Sequence, residues 1–462
     1  PLPVTVKACL DPACALYTEA VTATAVLSAN GSIVSSDTRT FIGGSGGFSL
    51  SRMTKGSATL GIASSNPATK PLSQTLCKIG SGPLGTNCTL AFADSGFVFD
   101  VPTQLSNKLS DDVLIRAVRK DDTSQRCVPA FQNVERDVQF WSGYIDPSAS
   151  AGRSLEVNGT AVSSAEASPT TLKLAFDNDA QAPIKVRYND AGKLELNARY
   201  SGSSGTGDSD LRMLGSDQFV VKPVGLCVEP TDSSAKWYCE RGDASCQVFV
   251  SAGDGFPVRF RPVGWQSDED TDLCLGNPNT PNFRHDGIAL ASVLVAPIDG
   301  VEGTVTLAAN DQNRYDHKPT TEGTVQDVKF SEVGVFRISA TPPAGGYLDG
   351  ETVAGGTSVN IGRITPAYLE ATGAGSLRPA CSAGYTYQAQ PLELSELPSL
   401  TITGKNRSGV TTTNYDRGAF WKFPEAWSPT FFSNVGRASL DQRIPVDGAP
   451  TDLDCTLEDN KT

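Results

Sequence analysis

YNDAG (residues 188–192) leads into the alternating run KLEL (193–196), and the same pattern occurs at FADSG (92–96) and FSEVG (330–334). In each copy an aromatic residue is followed, at fixed spacing, by an acid and a glycine. The acid can hydrogen-bond the turn and the glycine can adopt a positive φ, so each copy predicts a turn between two strands. Immunoglobulin-like domains place a comparable tyrosine corner late in their strand order. The sequence therefore predicts an all-β fold of serial immunoglobulin-like β-sandwich modules.

Composition agrees with many short strands and restricts the classes of partner. The 462 residues have room for three or four domains, and they include 44 glycines and 29 prolines. The net charge is −13 without a run of lysine or arginine, so nucleic acid and anionic membrane surfaces would be repelled. Apolar runs stay far below the roughly 18 residues of a membrane-spanning helix. We therefore expect neither nucleic-acid binding nor direct membrane insertion.

Eleven cysteines are spread along this Gly- and Ser-rich chain. Zinc sites use closely spaced cysteines or paired histidines, and the chain has two histidines, His285 and His317. Spaced cysteines in such a β-protein instead indicate local disulfides and an oxidising compartment. The full connectivity stays open, and the odd count leaves one cysteine single or paired outside this stretch. The leading predicted pairs are Cys9 with Cys14, Cys77 with Cys88, and Cys239 with Cys246.

The spacing of the three turns predicts the domain organisation. The interval from Gly96 to Gly192 is the size of one immunoglobulin-like sandwich, whereas the interval to Gly334 is longer and contains a polar, cysteine-bearing insertion. The last part of the chain lacks such a turn, so we expect an incomplete module that continues beyond this stretch. The predicted modules are residues 1–105, 106–223, an enlarged third at 224–366, and an incomplete fourth at 367–462.

The acidic run at residues 268–272 is the most site-like feature of the sequence. Asp268, Asp270 and Asp272 alternate on a predicted loop, and such carboxylates can supply oxygens to Ca²⁺, which takes six to eight of them. The glycine and the distal glutamate of an EF-hand loop are absent from this run. The alternative is a solvated acidic loop beside Cys274. Calcium is the one cofactor that the sequence suggests.

Aromatic residues cluster late in the chain. At this density, Trp and Phe either fill a core or line a binding surface, and alternation places some of the rings inward whichever face is buried. Trp427 lies between two prolines on a predicted loop, so it is the ring that we expect on a binding surface. The cluster comprises Phe420, Trp421, Phe423, Trp427, Phe431 and Phe432.

A set of motifs, in order along the whole chain, resembles one known family. The motifs are similar to those in the C-terminal region of the MshQ family, whose members belong to the mannose-sensitive haemagglutinin (MSHA) type IV pilus system of Gram-negative bacteria. The motifs are VTVKACLDPAC (4–14), FADSGFVFDVP (92–102), IRAVRKDD (115–122) with CVP (127–129), GWQSDEDTDLC (264–274), TPNF (280–283), SEVGVF (331–336) and NIGR (360–363).

The resemblance implies a cellular location and an association with the pilus system, and it implies no catalysed reaction. The expected location is extracellular, at the cell surface or on the pilus, after export through the periplasm. The expected partners are pilin or minor pilin subunits and host or surface glycans. Family members often carry a cysteine where this chain has residues 105–108, and its loss here would leave Cys127 single.

The sequence thus favours an exported structural or adhesion protein over an enzyme. The run GGSGG (43–47) fits the G-x-S-x-G nucleophile pattern, but it lies between two short strands, and both histidines are far along the chain. No catalytic residue is therefore predicted. Two alternatives remain open, a carbohydrate-binding array and a surface hydrolase that uses a carboxylate pair.

Overall fold

A computed structural model describes residues 2–11, 14–52, 54–69, 74–79, 84–121, 126–148, 152–209, 211–232, 234, 236–379, 384–385 and 393–422. The described chain is built from strands, with two short 3₁₀ turns at Leu348–Gly350 and Gly418–Phe420. None of the helical segments among these residues has the length and hydropathy to span a membrane. The chain divides into two compact units, Pro1–Lys222 and Pro223–Thr462.

The first sandwich packs a two-stranded sheet, β1-β4, and a four-stranded sheet, β3-β2-β5-β6, around one core. Alternation in β2 sends Val21, Ala23, Ala25 and Leu27 inward, as expected for a strand with one buried face. The strands are β1 Leu2–Lys7, β2 Val21–Ala29, β3 Ser32–Phe41, β4 Ser45–Leu50, β5 Gly56–Asn66 and β6 Thr89–Phe92.

The second sandwich completes the first unit with a five-stranded sheet, β14-β11-β17-β18-β8, and a sheet of β10-β9-β15 to which β7 pairs through β9. A small third sheet, β13-β12-β16, lies beside them. Strand β8 runs parallel to the end of β18. The strands are β7 Ser95–Val98, β8 Gln104–Leu105, β9 Val113–Lys120, β10 Cys127–Pro129, β11 Val134–Asp146, β12 Glu156–Val157, β13 Thr160–Ala161, β14 Thr170–Phe176, β15 Gln181–Ile184, β16 Val186–Arg187, β17 Gly192–Ser201 and β18 Arg212–Lys222.

The third sandwich packs the sheet β19-β20-β24-β22 against β23-β21-β25-β26, with β27 paired to β25. Stacked rings fill its core, since the ring centroid of Phe330 lies 5.9 Å from that of Phe256 and 4.7 Å from that of Phe336. The strands are β19 Gly225–Pro230, β20 Phe256–Val263, β21 His285–Ala296, β22 Val305–Leu307, β23 Arg314–His317, β24 Thr324–Phe330, β25 Gly334–Thr341, β26 Gly356–Thr357 and β27 Ile361–Ile364.

The last described strands form a separate two-stranded antiparallel sheet. Strand β28 (Tyr368–Arg378) pairs with β29 (Glu393–Lys405), and the described chain then continues to Lys422. The predicted fourth module at 367–462 is therefore described in its first part, while residues 423–462 lie outside the described residues.

The predicted turn glycine has the same role in the second and third sandwiches. Gly192 and Gly334 have φ values of 149° and 154°. A Cβ at Gly192 would lie 2.5 Å from the carbonyl oxygen of Asp146, and a Cβ at Gly334 would lie 2.6 Å from that of Ala296. Glycine is required at both positions because the backbone is left-handed and the neighbouring strand is too close for a side chain.

The aromatic residue and the acid of these two turns also behave as predicted. Tyr188 and Phe330 are buried in their cores. Each acid accepts a hydrogen bond from the backbone N–H of the next residue, at 2.8 Å for Asp190 and 3.1 Å for Glu332. A short carboxylate that satisfies the turn backbone fixes the geometry of the turn.

The first copy of the motif differs, and its predicted geometry is wrong. Phe92 is half-buried, and the carboxylate of Asp94 is exposed, 3.7 Å from Nζ of Lys55. Gly96 does not have a left-handed backbone. The reason is topological, because this turn joins β6 of the first sandwich to β7 of the second instead of joining two strands of one sandwich.

The predicted module boundary at residue 105 is displaced for the same reason. Strand β7 pairs with β9, and β8 pairs with β18, so both belong to the second sandwich. Phe97, Phe99 and Val101 are buried in that second core. The change of sandwich therefore falls between Phe92 and Ser95, about one strand earlier than predicted.

Candidate functional site

Disulfides tie loops in both units, as expected for a β-protein with local bridges. The structure joins all three close pairs that the sequence favours. A fourth bridge links two cysteines 47 residues apart, which spacing alone did not predict. The S–S distances are 2.01 Å for Cys9–Cys14, 2.02 Å for Cys77–Cys88, 2.11 Å for Cys239–Cys246 and 2.09 Å for Cys227–Cys274.

Arg261 explains how the distant pair Cys227 and Cys274 comes together. Arg261 lies directly opposite Cys227 in the β19–β20 ladder. Its guanidinium donates hydrogen bonds to the carbonyl oxygen of Cys274 at 3.0 Å and to Oδ1 of Asn279 at 2.7 Å. The planar donor fork holds the loop of residues 264–279 against the strand that carries Arg261. In the sequence, the feature that could have indicated this contact is an arginine in a strand whose side chains alternate between buried and half-buried.

Cys127 is exposed and forms no disulfide within the described part of the chain. It lies at the start of β10, on the edge of its sheet. Cys381 and Cys455 lie outside the described residues.

The structure places Asp268, Asp270 and Asp272 on one loop without bringing their carboxylates together. Asp268 accepts a hydrogen bond from the indole N–H of Trp265 at 3.1 Å. Asp270 accepts bonds from the backbone N–H of Asp272 at 3.0 Å and from the side chain of Asn277 at 2.6 Å. Each carboxylate thus stabilises the loop locally, and calcium binding stays a prediction.

One group of three metal-ligand residues is close enough to share an ion among the residues with described coordinates, namely Cys227, Glu229 and Cys274. The two sulfurs are already joined in a disulfide, and a metal requires the free thiolate. This group is therefore a disulfide beside an acid.

The predicted surface residue Trp427 lies outside the described residues, as do three other members of its aromatic cluster, Phe423, Phe431 and Phe432. The two described members pack inward. Phe420 is buried, and the ring of Trp421 lies 5.3 Å from that of Tyr415. Both rings adjoin the core of the second unit.

The segment after β29 is fastened to the turn of the third sandwich by buried polar groups, which we call the polar joint. Oε1 of Glu332 accepts hydrogen bonds from the backbone N–H and the hydroxyl of Thr413, at 2.8 and 3.0 Å. Asn414, fully buried, donates to the carbonyl oxygens of Val301 and Val333 at 2.8 and 2.9 Å. The turn acid thus holds a neighbouring segment as well as its own backbone.

An ion pair at the rim of the polar joint adds a second attachment. Arg407 contacts both carboxylate oxygens of Asp254, at 2.7 and 2.8 Å. The hydrogen bonds from this guanidinium hold the pKa of Asp254 below its usual value. Such a bidentate pair fixes orientation more firmly than a single contact does.

The two histidines of the chain face each other in the third sandwich. His285 and His317 are directly opposite in the β21–β23 ladder, and both side chains are buried. Phe283 packs against both rings, with centroid distances of 6.0 and 5.5 Å. Burial lowers the pKa of His317 from 6.5 to about 4, and neither of its ring nitrogens has a hydrogen-bond partner among the described residues. It is therefore held neutral at physiological pH.

The described residues of the second unit line a larger and a smaller cavity. The larger, of about 730 Å³, is open and mixes polar and apolar groups, and it includes Ser292, Glu302, Thr304, Asp311 and Arg314 in its wall. The smaller has a volume of about 300 Å³ and is mainly apolar. Its wall consists of Val248, Val333, Arg363, Ile364, Thr365, Pro366, Tyr368, Leu369, Tyr415, Phe420 and Lys422.

Comparison with protein families shows that the chain contains three domains of one family in order. Residues 74–216 match the first Ig-like domain of DUF6701, a domain of unknown function, and residues 222–326 and 332–454 match its second and third domains. Residues 1–68 match DUF8613, another domain of unknown function. The second and third family domains meet within the third sandwich. No curated protein gives a significant match to the chain.

Solved structures with detectable similarity include three bacterial proteins, all at low scores. The D0-D1 domain of intimin aligns at 10% identity over 58% of this chain and 98% of its own, with a TM-score of 0.17. Invasin, a bacterial integrin-binding protein, aligns at 10% identity over 69% of this chain and 48% of its own, with a TM-score of 0.23. E. coli alpha-2-macroglobulin aligns at 12% identity over 88% of this chain and 26% of its own, with a TM-score of 0.19. At these scores nothing is transferred from them to this chain.

Proposed function

We propose that this chain is an exported structural or adhesion protein associated with an MSHA-type type IV pilus, in which stacked sandwiches present a binding surface. The observation that carries the proposal is a series of immunoglobulin-like sandwiches with disulfides in both units. Disulfides form and persist in oxidising compartments, which supports export. The proposed association with a pilus is supported by the sequence motifs that resemble the MshQ family.

Rigid attachment between neighbouring elements supports a presenting role. The polar joint fixes the segment around Thr413 and Asn414 to the third sandwich through a buried carboxylate. A protein that projects a binding surface needs such joints, because a flexible linker would leave the surface free to reorient.

The test is co-purification with filaments. Pili sheared from the cell surface would be separated by density and analysed by mass spectrometry, with a matched strain that lacks the major pilin as the control. We expect this chain in the filament fraction of the pilus-bearing strain and its loss from that fraction in the control. An equal amount in both strains, or its recovery with cytoplasmic proteins, would refute the proposed association.

A further inference from the structure

The smaller cavity lies where the third sandwich meets the start of β28, and we call it the β28 cavity. Ile364 and Pro366 lead directly into this strand, and Tyr368 and Leu369 are its first residues. Tyr368 is 46% exposed and Leu369 is 41% exposed. Large apolar side chains that are half-exposed beside an apolar cavity are typical of a ligand-binding surface.

The charged groups of the β28 cavity are both cationic. Arg363 and Lys422 contribute to the wall, and none of the residues with described coordinates in that wall is acidic. In a chain with a net charge of −13, two cations without an opposing acid form a local positive site. The cavity therefore favours an anionic group on its ligand.

Arg363 is held in place at the wall of the cavity. Its Nη1 donates to the carbonyl oxygen of Ala244 at 3.2 Å, which anchors the guanidinium. Its Nε is buried and has no hydrogen-bond partner among the described residues. The guanidinium is thus fixed beside the cavity, and its charge would attract a carboxylate that enters there.

We propose that the β28 cavity binds the C-terminal residue of a partner polypeptide, with an apolar side chain inside the cavity and the terminal carboxylate at Arg363 and Lys422. A sugar would need several hydrogen-bonding groups around it, whereas eight of the wall residues are aliphatic or aromatic. Capture of a chain-terminal carboxylate is a recurring mode of peptide recognition. The inference rests on the proposed presenting function and names the chemistry of its partner.

Binding of short peptides to the full chain tests this proposal. The probes are a fluorescently labelled hexapeptide that ends in phenylalanine with a free carboxylate, and the same peptide with a C-terminal amide. Fluorescence anisotropy should show about tenfold or greater weakening for the amide, the loss of one charge-assisted contact. Tyr368→Ala and Lys422→Gln should both weaken binding of the free acid, because Tyr368 forms part of the wall and Lys422 faces the carboxylate.

Matched substitutions away from the cavity control for general effects. Leu214→Ala, in the first unit, and Lys318→Gln replace an exposed apolar side chain and an exposed lysine that do not line the cavity, and they should leave binding unchanged. Equal affinity for acid and amide, tighter binding of an acidic oligosaccharide, or no binding of either peptide at millimolar concentration would overturn the proposal. Each of these results would leave filament association intact, so the two proposals can fail separately.

Discussion

Acidification should destabilise the third sandwich through His317. Its side chain is fully buried, and its pKa lies at about 4 instead of 6.5 because burial disfavours the charged form. The unfolded chain binds the proton at a higher pH than the folded chain does. Stability is therefore full above about pH 6.5 and is lost as the pH falls towards 4.

The size of this loss follows from the shift. A difference of about 2.5 pKa units corresponds to about 3 kcal/mol once both states have titrated, and to about 2 kcal/mol at pH 5. The substitution His317→Leu removes the titrating group and keeps an apolar side chain against Phe283. We expect this variant to lose about 2 kcal/mol less than the wild type between pH 7 and pH 5.

Hydrogen exchange with mass spectrometry measures the effect locally, which matters in a chain of several sandwiches. Protection of peptides that cover β21 and β23 would be compared at pH 7 and pH 5, after correction for the intrinsic exchange rate. Peptides from β11 and β17 of the first unit are the internal control. Equal loss of protection in the wild type and in His317→Leu would refute the reasoning.

Three further substitutions test the turns, the polar joint and the acidic loop. Glu332→Ala should destabilise the second unit by about 3 kcal/mol in urea unfolding, because it leaves buried donors without an acceptor. The control Asp94→Ala, at the exposed first turn, should cost about 0.5 kcal/mol or less. Equal losses of stability in the two variants would contradict the structural role of the buried carboxylate. Gly334→Ala should lower the free energy of unfolding by more than about 2 kcal/mol in thermal unfolding, since the added Cβ would meet a carbonyl oxygen at 2.6 Å. The control Gly47→Ala should leave stability nearly unchanged, because the space around Gly47 is open. Calcium titrated into the wild type in a calorimeter should give heat that Asp270→Ala abolishes, because the predicted ion would be held by the carboxylates of this loop. No heat with either protein would contradict the calcium site and leave a solvated acidic loop.

Local patterns in the sequence predicted the features that depend on near neighbours. Alternation and turn residues indicated the all-β fold, and the pairs Cys9–Cys14 and Cys239–Cys246 are separated by a single short loop. The turns at Gly192 and Gly334 were predictable because one residue type satisfies both the left-handed backbone and the close approach of a strand.

Features that depend on the tertiary arrangement could not be predicted from local sequence patterns. The bridge between Cys227 and Cys274 depends on where Arg261 holds a distant loop. The turn at Asp94 has the same residue types as the other two, but its strands belong to different sandwiches. The β28 cavity combines wall residues from position 248 to position 422, and no sequence window contains them together.

The parallel pairing of β8 with β18 determines how the second sandwich would respond to tension. Gln104 pairs with Val221, and Leu105 pairs with Lys222, so an early strand and the final strand of the sandwich run side by side in the same direction. If the chain is pulled from both ends, these two strands are drawn past each other. The hydrogen bonds between them are then loaded in shear at the same moment, and so is the bond from the backbone N–H of Ser106 to the carbonyl oxygen of Lys222. An antiparallel pair pulled apart from one end would instead break its bonds one after another. The second sandwich is therefore arranged to resist a force applied along the chain.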